Sequence, residues 1–341
     1  MSSRARWPQF LALAVSLPFF ALVLVTADWD SVPIGMEIGV ALVLAVVAQL
    51  CRSYFWILLA SAVATSEVDR DARLHLLRAV NRSRPAQYIP GRIAAIGSRY
   101  LLTVSAGYPR GSAALIVVYE ILLIQGYGLT LGLSFLVAAY VSIPFGLVVL
   151  ALTTAGWVAA IGYLHRTHAT LLLPLLRRLR RRQLAEQLEQ STASEAWSPA
   201  LLLASLGYLS VPALMSAATV FVASSIEDLD AHAVSIVIGA SALAQVAGWV
   251  AVFTPQGLGV REGVLGGLVV QLFDTATAAA LAGLARIVNT LAELLAFGAI
   301  ELFVLLAVRS ARPHEAAEGR AVPSAGAAQL RHVDHDDGDR D

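Results

Sequence analysis

The chain has 341 residues, of which 57% are hydrophobic and only 14% are charged, and its 24 basic residues balance its 24 acidic residues. Soluble domains carry about 25% charged residues, so this composition excludes an ordinary soluble globular protein. The mean hydropathy of +0.70 is typical of a polytopic helical membrane protein. The single cysteine, Cys51, excludes an intrachain disulfide and a cysteine metal cluster.

Apolar blocks of spanning length recur along the chain and predict an all-α polytopic membrane protein with about seven or eight transmembrane helices. The predicted spans are residues 8–27, 35–63, two within 111–164, 200–224, 232–253, and one or two within 263–308. The run at 8–27 is longer than the apolar core of a signal peptide and has no convincing cleavage site, so we expect it to remain as the first helix. In the second span, Arg52 is predicted to snorkel to the membrane surface beside Tyr54 and Trp56.

Arginine-rich segments alternate with acidic loops, and the positive-inside rule orients the chain from this pattern. The rule places three arginine-containing segments in the cytoplasm, namely the N-terminus, residues 66–86 and residues 165–198. It places the acidic loops at 28–30 and 227–230 outside. We therefore predict a multi-pass protein of the cytoplasmic (inner) membrane with its N-terminus in the cytoplasm.

Composition divides the chain into a transmembrane domain over residues 1–310 and a tail over residues 311–341. Within the domain, residues 165–198 are predicted to be a basic cytoplasmic loop. Its arginines at 177–182 alternate with leucines, either as an amphipathic helix on an anionic leaflet or as a plain loop. The tail is acidic and histidine-rich and is predicted to be disordered, with solvated side chains rather than a metal site.

Two segments, 88–100 and 253–263, are interrupted by proline and glycine, and one or both are predicted to be re-entrant. Lipid cannot hydrogen-bond a broken backbone, so such a segment is tolerated only beside protein or a wet cavity, where charges usually mark a pathway or site. Pro90 aligns with Pro255, since each is followed by glycines and an arginine. This is the pattern of an internal repeat of the kind found in transporters, and the predicted topology makes the repeat a parallel one.

The Pro255 segment combines a break, glycines and paired charges. Gly257 and Gly259 are predicted to expose backbone amides, and a half-helix beginning near Val260 would favour an anion at its N-terminus. Arg261 adds a charge matched to phosphate. Glu262 either binds an ammonium group or holds Arg261 in place. The alternative is a turn with an internal ion pair at the membrane surface.

The Pro90 segment is a second cationic break. Arg92 and Arg99 are seven residues apart and lie on one face if the segment is helical. They are predicted either to assist in binding a lipid headgroup or to anchor the segment at the interface.

Isolated charges also stand within apolar helices. Glu120 lies deep in one run, and Arg286, Asn289 and Glu293 are spaced to share one face of another. Buried charges are costly unless paired, so the sequence predicts an intramembrane network with Glu120 bound to Arg286. The network is either a clasp between helices or part of a substrate or proton path.

No nucleophile elbow, phosphate-binding loop or cluster of metal ligands is visible, so the sequence predicts no cofactor, no metal and no nucleic-acid partner, and favours a protein that is not an enzyme. Two alternatives remain. One is a polyprenyl-phosphate-sugar glycosyltransferase, or its membrane partner, with Glu262 or Glu120 as base. The other is a membrane scaffold that recruits a cytosolic enzyme through residues 177–182.

The string from Gly257 to Glu262, Gly-Leu-Gly-Val-Arg-Glu, resembles a motif of the flippase-like transmembrane region of lysylphosphatidylglycerol synthases and their stand-alone relatives. Further support comes from Pro90-Gly91 with Arg99 and from Glu120, in matching order and spacing over residues 35–308. The chain departs from the family pattern at Gln256, where a typical member has glycine, and at Ala94 and Ala95, where an acid is common.

This resemblance implies a multi-pass bundle that moves or binds a charged or glycosylated lipid. Its expected partners are a membrane phospholipid or glycolipid and a soluble glycosyl- or aminoacyl-transferase. Lysyl transfer by the chain itself is not expected, because the short tail leaves no room for the synthase domain. We therefore predict a lipid translocase whose headgroup site includes Gly257, Gly259, Arg261 and Glu262, assisted by Arg92 and Arg99.

Overall fold

The computed structural model describes residues 35–63, 70–88, 93–178, 198–251 and 254–318, and every regular element within these ranges is a helix. The α-helices are α1 (Met36–Val63), α2 (Arg70–Ser83), α3 (Ile93–Ser105), α4 (Arg110–Tyr140), α5 (Ile143–Arg178), α6 (Pro199–Gly207), α7 (Ser210–Ser224), α8 (Ala231–Val250), α9 (Val260–Val269) and α10 (Thr275–Glu318). Two short 3-10 helices, Arg84–Tyr88 and Pro255–Gly257, precede α3 and α9.

Six helices of the described part are long and apolar enough to cross a membrane. They are Met36–Val63, Arg110–Tyr140, Ile143–Thr167, Pro199–Ser224, Ala231–Val250 and Thr275–Arg309. The chain is therefore an all-α, multi-pass membrane protein, as its composition predicts. Residues 111–164 contain two of these spans and residues 263–308 contain one. The predicted first helix at 8–27 lies outside the described residues.

Two helices extend into segments that the sequence assigns to the basic loop and to the tail. The helix α5 continues to Arg178, so the first part of the predicted basic loop is helical, whereas residues 179–197, which include most of the arginine-rich stretch, lie outside the described ranges. The helix α10 continues to Glu318, so residues 311–318 are helical. Alanine, leucine, arginine and glutamate are good helix formers and dominate both extensions, although each extension also contains a proline.

The helix α1 packs against both halves of the bundle. Its N-terminal half presents Ala41, Ala45 and Ala48, which are fully buried in a cluster with α7 and α10. Its C-terminal half buries Trp56 in a second cluster with tyrosines of α4 and with Tyr208, which follows α6. Small residues allow helix backbones to approach closely, which is the usual way that helices associate in lipid. The polar residues in the middle of α1 consequently face the interior of the bundle.

The helices α4 and α8 cross at very short range. A Cβ atom added at Gly132 would lie 2.6 Å from the side chain of Leu243, and one added at Gly239 would lie 2.8 Å from Leu136. This crossing fixes two walls of the interior. The helix α5, by contrast, turns Leu147, Val148 and Leu152 outward, as a lipid-facing helix does.

Both predicted broken segments are followed by a short helix and then a long one. The short helices α3 and α9 have 13 and 10 residues, or about 20 and 15 Å, which is less than the roughly 30 Å hydrocarbon core. The two 3-10 helices contact each other. The order of 3-10 helix, short helix and long helix thus occurs twice in the described residues. Pro90, Gly91 and Arg92 lie outside the described residues.

Candidate functional site

A polar cavity of about 150 Å³ lies between α1, α3, α4, α7, α8, α9 and α10. Its wall carries five charged side chains: Arg52, Arg99, Glu120, Arg261 and Glu293. Arg52 lies near the middle of α1, and Glu293 near the middle of the span in α10, so the cavity is at membrane depth. Charges at this depth are costly and usually functional. Four predicted site residues, on four different helices, are brought together here.

On one side of the cavity, Glu120 of α4 is shared by two arginines. Its carboxylate is buried, and Oε1 accepts a hydrogen bond of 3.0 Å from Arg52 Nε, while Oε2 accepts one from Arg99 Nη1. Arg99 also donates to Ser83 Oγ at 3.1 Å and lies 5.3 Å from the ring centroid of Trp56, in a cation–π contact.

These contacts correct two predictions. Glu120 is paired with Arg52 and Arg99 and not with Arg286. Arg52 does not snorkel to the surface, because its place on α1, one turn from the cavity-lining Gln49, turns it toward α4.

Arg84, in the first 3-10 helix, is a buried cation that sequence analysis missed. Its Nη2 donates to the backbone oxygen of Gln49 at 2.9 Å and to Ser53 Oγ at 2.7 Å. Its Nη1 has no acceptor among the described residues. Burial, and then the nearby charge of Arg52, lowers the pKa of Arg84 to about 9. The sequence had placed this residue in a solvated cytoplasmic stretch.

On the other side of the cavity, Glu293 of α10 joins the two 3-10 helices. Gln87 Nε2 and Tyr88 Oη, from the first 3-10 helix, each donate to Glu293 Oε2 at 2.9 Å. Gln256 Nε2, from the second, donates to Oε1 at 3.0 Å and to Oε2 at 2.9 Å. One carboxylate therefore connects the two 3-10 helices.

Arg286 extends this network away from the cavity. Its Nη2 donates to Gln256 Oε1 at 2.6 Å, and its Nε lies 3.6 Å from Glu262 Oε1. Glu262 therefore holds Arg286 and not Arg261, contrary to one of the roles predicted for it. Asn289 is buried on the same helix but does not line the cavity.

The backbone of the Pro255 segment is left-handed at three residues. The φ angles are 48° at Gln256, 72° at Gly257 and 81° at Gly259. A Cβ atom at Gly257 would lie 2.4 Å from the backbone oxygen of Gly248 on α8, so the loop packs backbone to backbone there. Only glycine tolerates both the conformation and the contact.

A half-helix begins at Val260, as predicted, but the amides of the two glycines before it are occupied. The Gly259 nitrogen donates to Glu262 Oε2 at 2.8 Å, and the Gly257 nitrogen donates to the Thr254 oxygen at 3.4 Å. The two glycines therefore shape the loop and do not present the free donors that we predicted.

Arg261 is the cavity cation without a partner. Its side chain lines the cavity, and no described residue places an acceptor within hydrogen-bonding or ion-pairing distance of its guanidinium. Burial, and then the positive charge of Arg286, lowers the pKa of Arg261 to about 10. Gln245 of α8 lines the same cavity, and its Nε2 is a buried donor without an acceptor among the described residues. A ligand bearing oxygen acceptors and negative charge would satisfy both groups.

Sequence reasoning found Arg99, Glu120, Arg261 and Glu293 but missed Arg52, Arg84 and the glutamines of the wall. The spacing of Gln49 and Arg52, one turn apart within an apolar helix, was the available signal for an inward polar face. Comparisons of this chain with protein-family models, with curated proteins and with solved structures found no match.

Proposed function

We propose that this chain is a lipid translocase that binds an anionic lipid headgroup in the polar cavity and passes it across the membrane. It would be a relative of the flippase-like region that the Gly257–Glu262 string resembles. The observation that carries the proposal is the pair of donors at the cavity wall: the Arg261 guanidinium, which lines the cavity and has no acceptor among the described residues, and Gln245 Nε2, which is buried without one. A buried donor without an acceptor costs about 1–3 kcal/mol, so a ligand that accepts from Gln245 and carries charge matched to Arg261 would stabilise the site.

The backbone around the cavity supports transport rather than static binding. Short helices and broken segments at membrane depth are the usual construction of transporter sites, where a polar group must be held without crossing lipid unprotected. Here the two 3-10 helices, Arg84–Tyr88 and Pro255–Gly257, are joined at Glu293. Because they border the same cavity, a headgroup there would contact both.

The glycosyltransferase alternative finds less support in the geometry. Its candidate bases are both engaged, since Glu120 is ion-paired with Arg52 and Arg99, and Glu262 caps α9 and contacts Arg286. A general base needs a carboxylate free to take a proton from an acceptor. The scaffold alternative depends on residues 177–182, most of which lie outside the described part.

The first test is mass spectrometry of the lipids that copurify with the detergent-solubilised full chain. We expect the wild type to enrich one class of acidic lipid over the bulk membrane, and Arg261→Gln to lose that enrichment. Arg166→Gln is the matched control because it removes an exposed arginine of α5, far along the chain from the site residues.

The second test measures transport. In proteoliposomes, the wild type should accelerate the transfer of a fluorescent acidic lipid between leaflets, Arg261→Gln should not, and Arg166→Gln should behave as the wild type. The proposal would be overturned if all three proteins copurified with bulk membrane lipid, without enrichment of an acidic class, and none accelerated lipid transfer.

A further inference from the structure

The buried charges around the polar cavity do not cancel. The group comprises five arginines and three glutamates, none of them exposed: Arg52, Arg84, Arg99, Arg261, Arg286, Glu120, Glu262 and Glu293. Within the described part of the chain, this group therefore carries two positive charges in excess. Unneutralised charge at membrane depth costs several kcal/mol per ion.

These eight residues form one electrostatic unit. The two arginines that do not line the cavity each bond to a residue that does, Arg84 to the backbone oxygen of Gln49 and Arg286 to the side chain of Gln256. A neighbouring set, in which Arg78 and Arg82 contact Glu301, lies two turns beyond Glu293 on α10. Arg82 is 53% exposed, so water and salt screen that set far more than the cavity.

The excess of two charges distinguishes between classes of phosphate ligand. A zwitterionic headgroup has no net charge and would leave both excess positive charges uncompensated. An anionic phosphodiester headgroup has one negative charge and would compensate one of them. A phosphomonoester carries nearly two negative charges above its second pKa of about 6 and would cancel it. Its three terminal oxygens are strong acceptors, and the planar fork of Arg261 matches their geometry.

We propose that the polar cavity selects a phosphomonoester dianion, the end group of a lipid or soluble monophosphate, over phosphodiester and zwitterionic headgroups. This inference rests on the proposed function and specifies the ligand of the same site. Arg261 and Gln245 Nε2 are the donors available to hydrogen-bond the phosphate. Arg52 and Arg99 supply positive charge from the opposite wall, where Glu120 neutralises only one of them.

The test compares three lipids with identical acyl chains: phosphatidic acid, phosphatidylglycerol and phosphatidylcholine. Binding to the full chain in detergent micelles is measured by native mass spectrometry. Above the second phosphate pKa of about 6, we expect phosphatidic acid to bind at least about tenfold more tightly than phosphatidylglycerol, and phosphatidylcholine to bind most weakly. Below that pKa, the advantage of phosphatidic acid should disappear.

Phosphatidylglycerol measured over the same pH range is the control for titration of the protein. Its phosphodiester has no second proton to lose, so a change in its affinity would report on Glu120, Glu262, Glu293 or Tyr88 and not on the ligand. Only the difference between the two lipids tests the inference.

Two variants test the charge count. Arg261→Gln should lower the affinity for phosphatidic acid by about tenfold or more, since a charge-assisted hydrogen bond is lost. Gln125→Glu adds one negative charge to the cavity wall without removing a donor that we assign to the ligand, and should reduce the preference for phosphatidic acid over phosphatidylglycerol. Arg166→Gln should change neither.

The outcomes separate the two proposals. Equal binding of phosphatidic acid and phosphatidylglycerol, lost together in Arg261→Gln, would overturn the dianion inference and leave the headgroup site standing. If all three lipids bind and Arg261→Gln does not change their affinity, both the dianion inference and the headgroup site are overturned. If inorganic phosphate displaces phosphatidic acid, the site recognises a soluble monophosphate; if it does not, the monoester is that of a lipid.

Discussion

Gln256 donates from one amide nitrogen to both carboxylate oxygens of Glu293, at 3.0 and 2.9 Å, while its own carbonyl accepts from Arg286. One neutral side chain thus connects a buried anion to a buried cation. It does so from a left-handed backbone, with φ of 48°, which residues other than glycine adopt rarely. The hydrogen bonds to charged groups offset the conformational cost at this position.

The first prediction follows from this bridge. Gln256→Leu removes three hydrogen bonds to charged groups and should lower the free energy of unfolding by about 2 kcal/mol. Gln256→Gly also removes them but relaxes the backbone, so its loss should be smaller. Thermal denaturation of the purified proteins compares the two, and equal losses would show that the φ angle at Gln256 is not strained.

The second prediction concerns the contact between Gly257 and Gly248. Gly257→Ala places a Cβ atom 2.4–2.7 Å from the backbone of Gly248 and forces alanine to a φ of 72°. It should destabilise the protein by about 2–3 kcal/mol. Gly263→Ala is the matched control, because its Cβ atom meets nothing within 4 Å on helix α9. It should be neutral or slightly stabilising. Similar midpoints of thermal unfolding for the two variants would contradict the proposed packing.

The third prediction concerns Glu120. Glu120→Gln leaves Arg52 and Arg99 without a neutralising charge and should destabilise the protein by about 3–5 kcal/mol. Arg52→Gln should cost less, because Arg99 keeps its partner. The double variant Glu120→Gln/Arg52→Gln should be more stable than additivity predicts. A double-mutant cycle from denaturation midpoints measures this coupling, and a coupling near zero would exclude a direct ion pair.

The fourth prediction concerns pH and the start of α10. Asp274 Oδ1 accepts from the backbone nitrogens of Ala276 and Thr277 at 2.9 and 3.1 Å, and Oδ2 accepts from Thr277 Oγ1. These bonds hold the pKa of Asp274 below its ordinary value. The carboxylate therefore contributes stability above about pH 4, which is lost as the pH falls through the lowered pKa.

The measurement compares the thermal midpoints of wild type, Asp274→Asn and Asp274→Ala between neutral and acidic pH. Asp274→Asn keeps an acceptor but does not titrate, so the gap between it and wild type should narrow on acidification. Asp274→Ala should be least stable at neutral pH, because it loses the cap. If the difference in thermal midpoint between wild type and Asp274→Asn widened as the pH fell, the prediction would be contradicted.

The transmembrane helices were predictable because the bilayer imposes requirements that each segment must meet by itself. Any segment that crosses lipid must satisfy its own backbone hydrogen bonds and present about 20 apolar residues, and both properties are visible along the sequence. The half-helix at Val260 was predictable for the same kind of reason, since proline and glycine act on the adjacent backbone.

The partners of the buried charges were not predictable, because they depend on which faces of the helices pack against one another. Glu120 and Arg286 each required a partner, and sequence reasoning assigned them to each other. The fold instead brings Arg52 of α1 and Arg99 of α3 to Glu120, and Gln256 and Glu262 to Arg286. The capping role of Glu262 at Gly259 also escaped prediction, although glutamate at the third position of a helix is a known capping residue.

The junction at Glu293 has a mechanical consequence. Three side chains from two distant parts of the sequence, Gln87, Tyr88 and Gln256, converge on this one carboxylate. Separating the two 3-10 helices would therefore break the bonds to Glu293 from one of them, either those of Gln87 and Tyr88 or those of Gln256. The cost of widening the cavity along this seam is set by that one carboxylate.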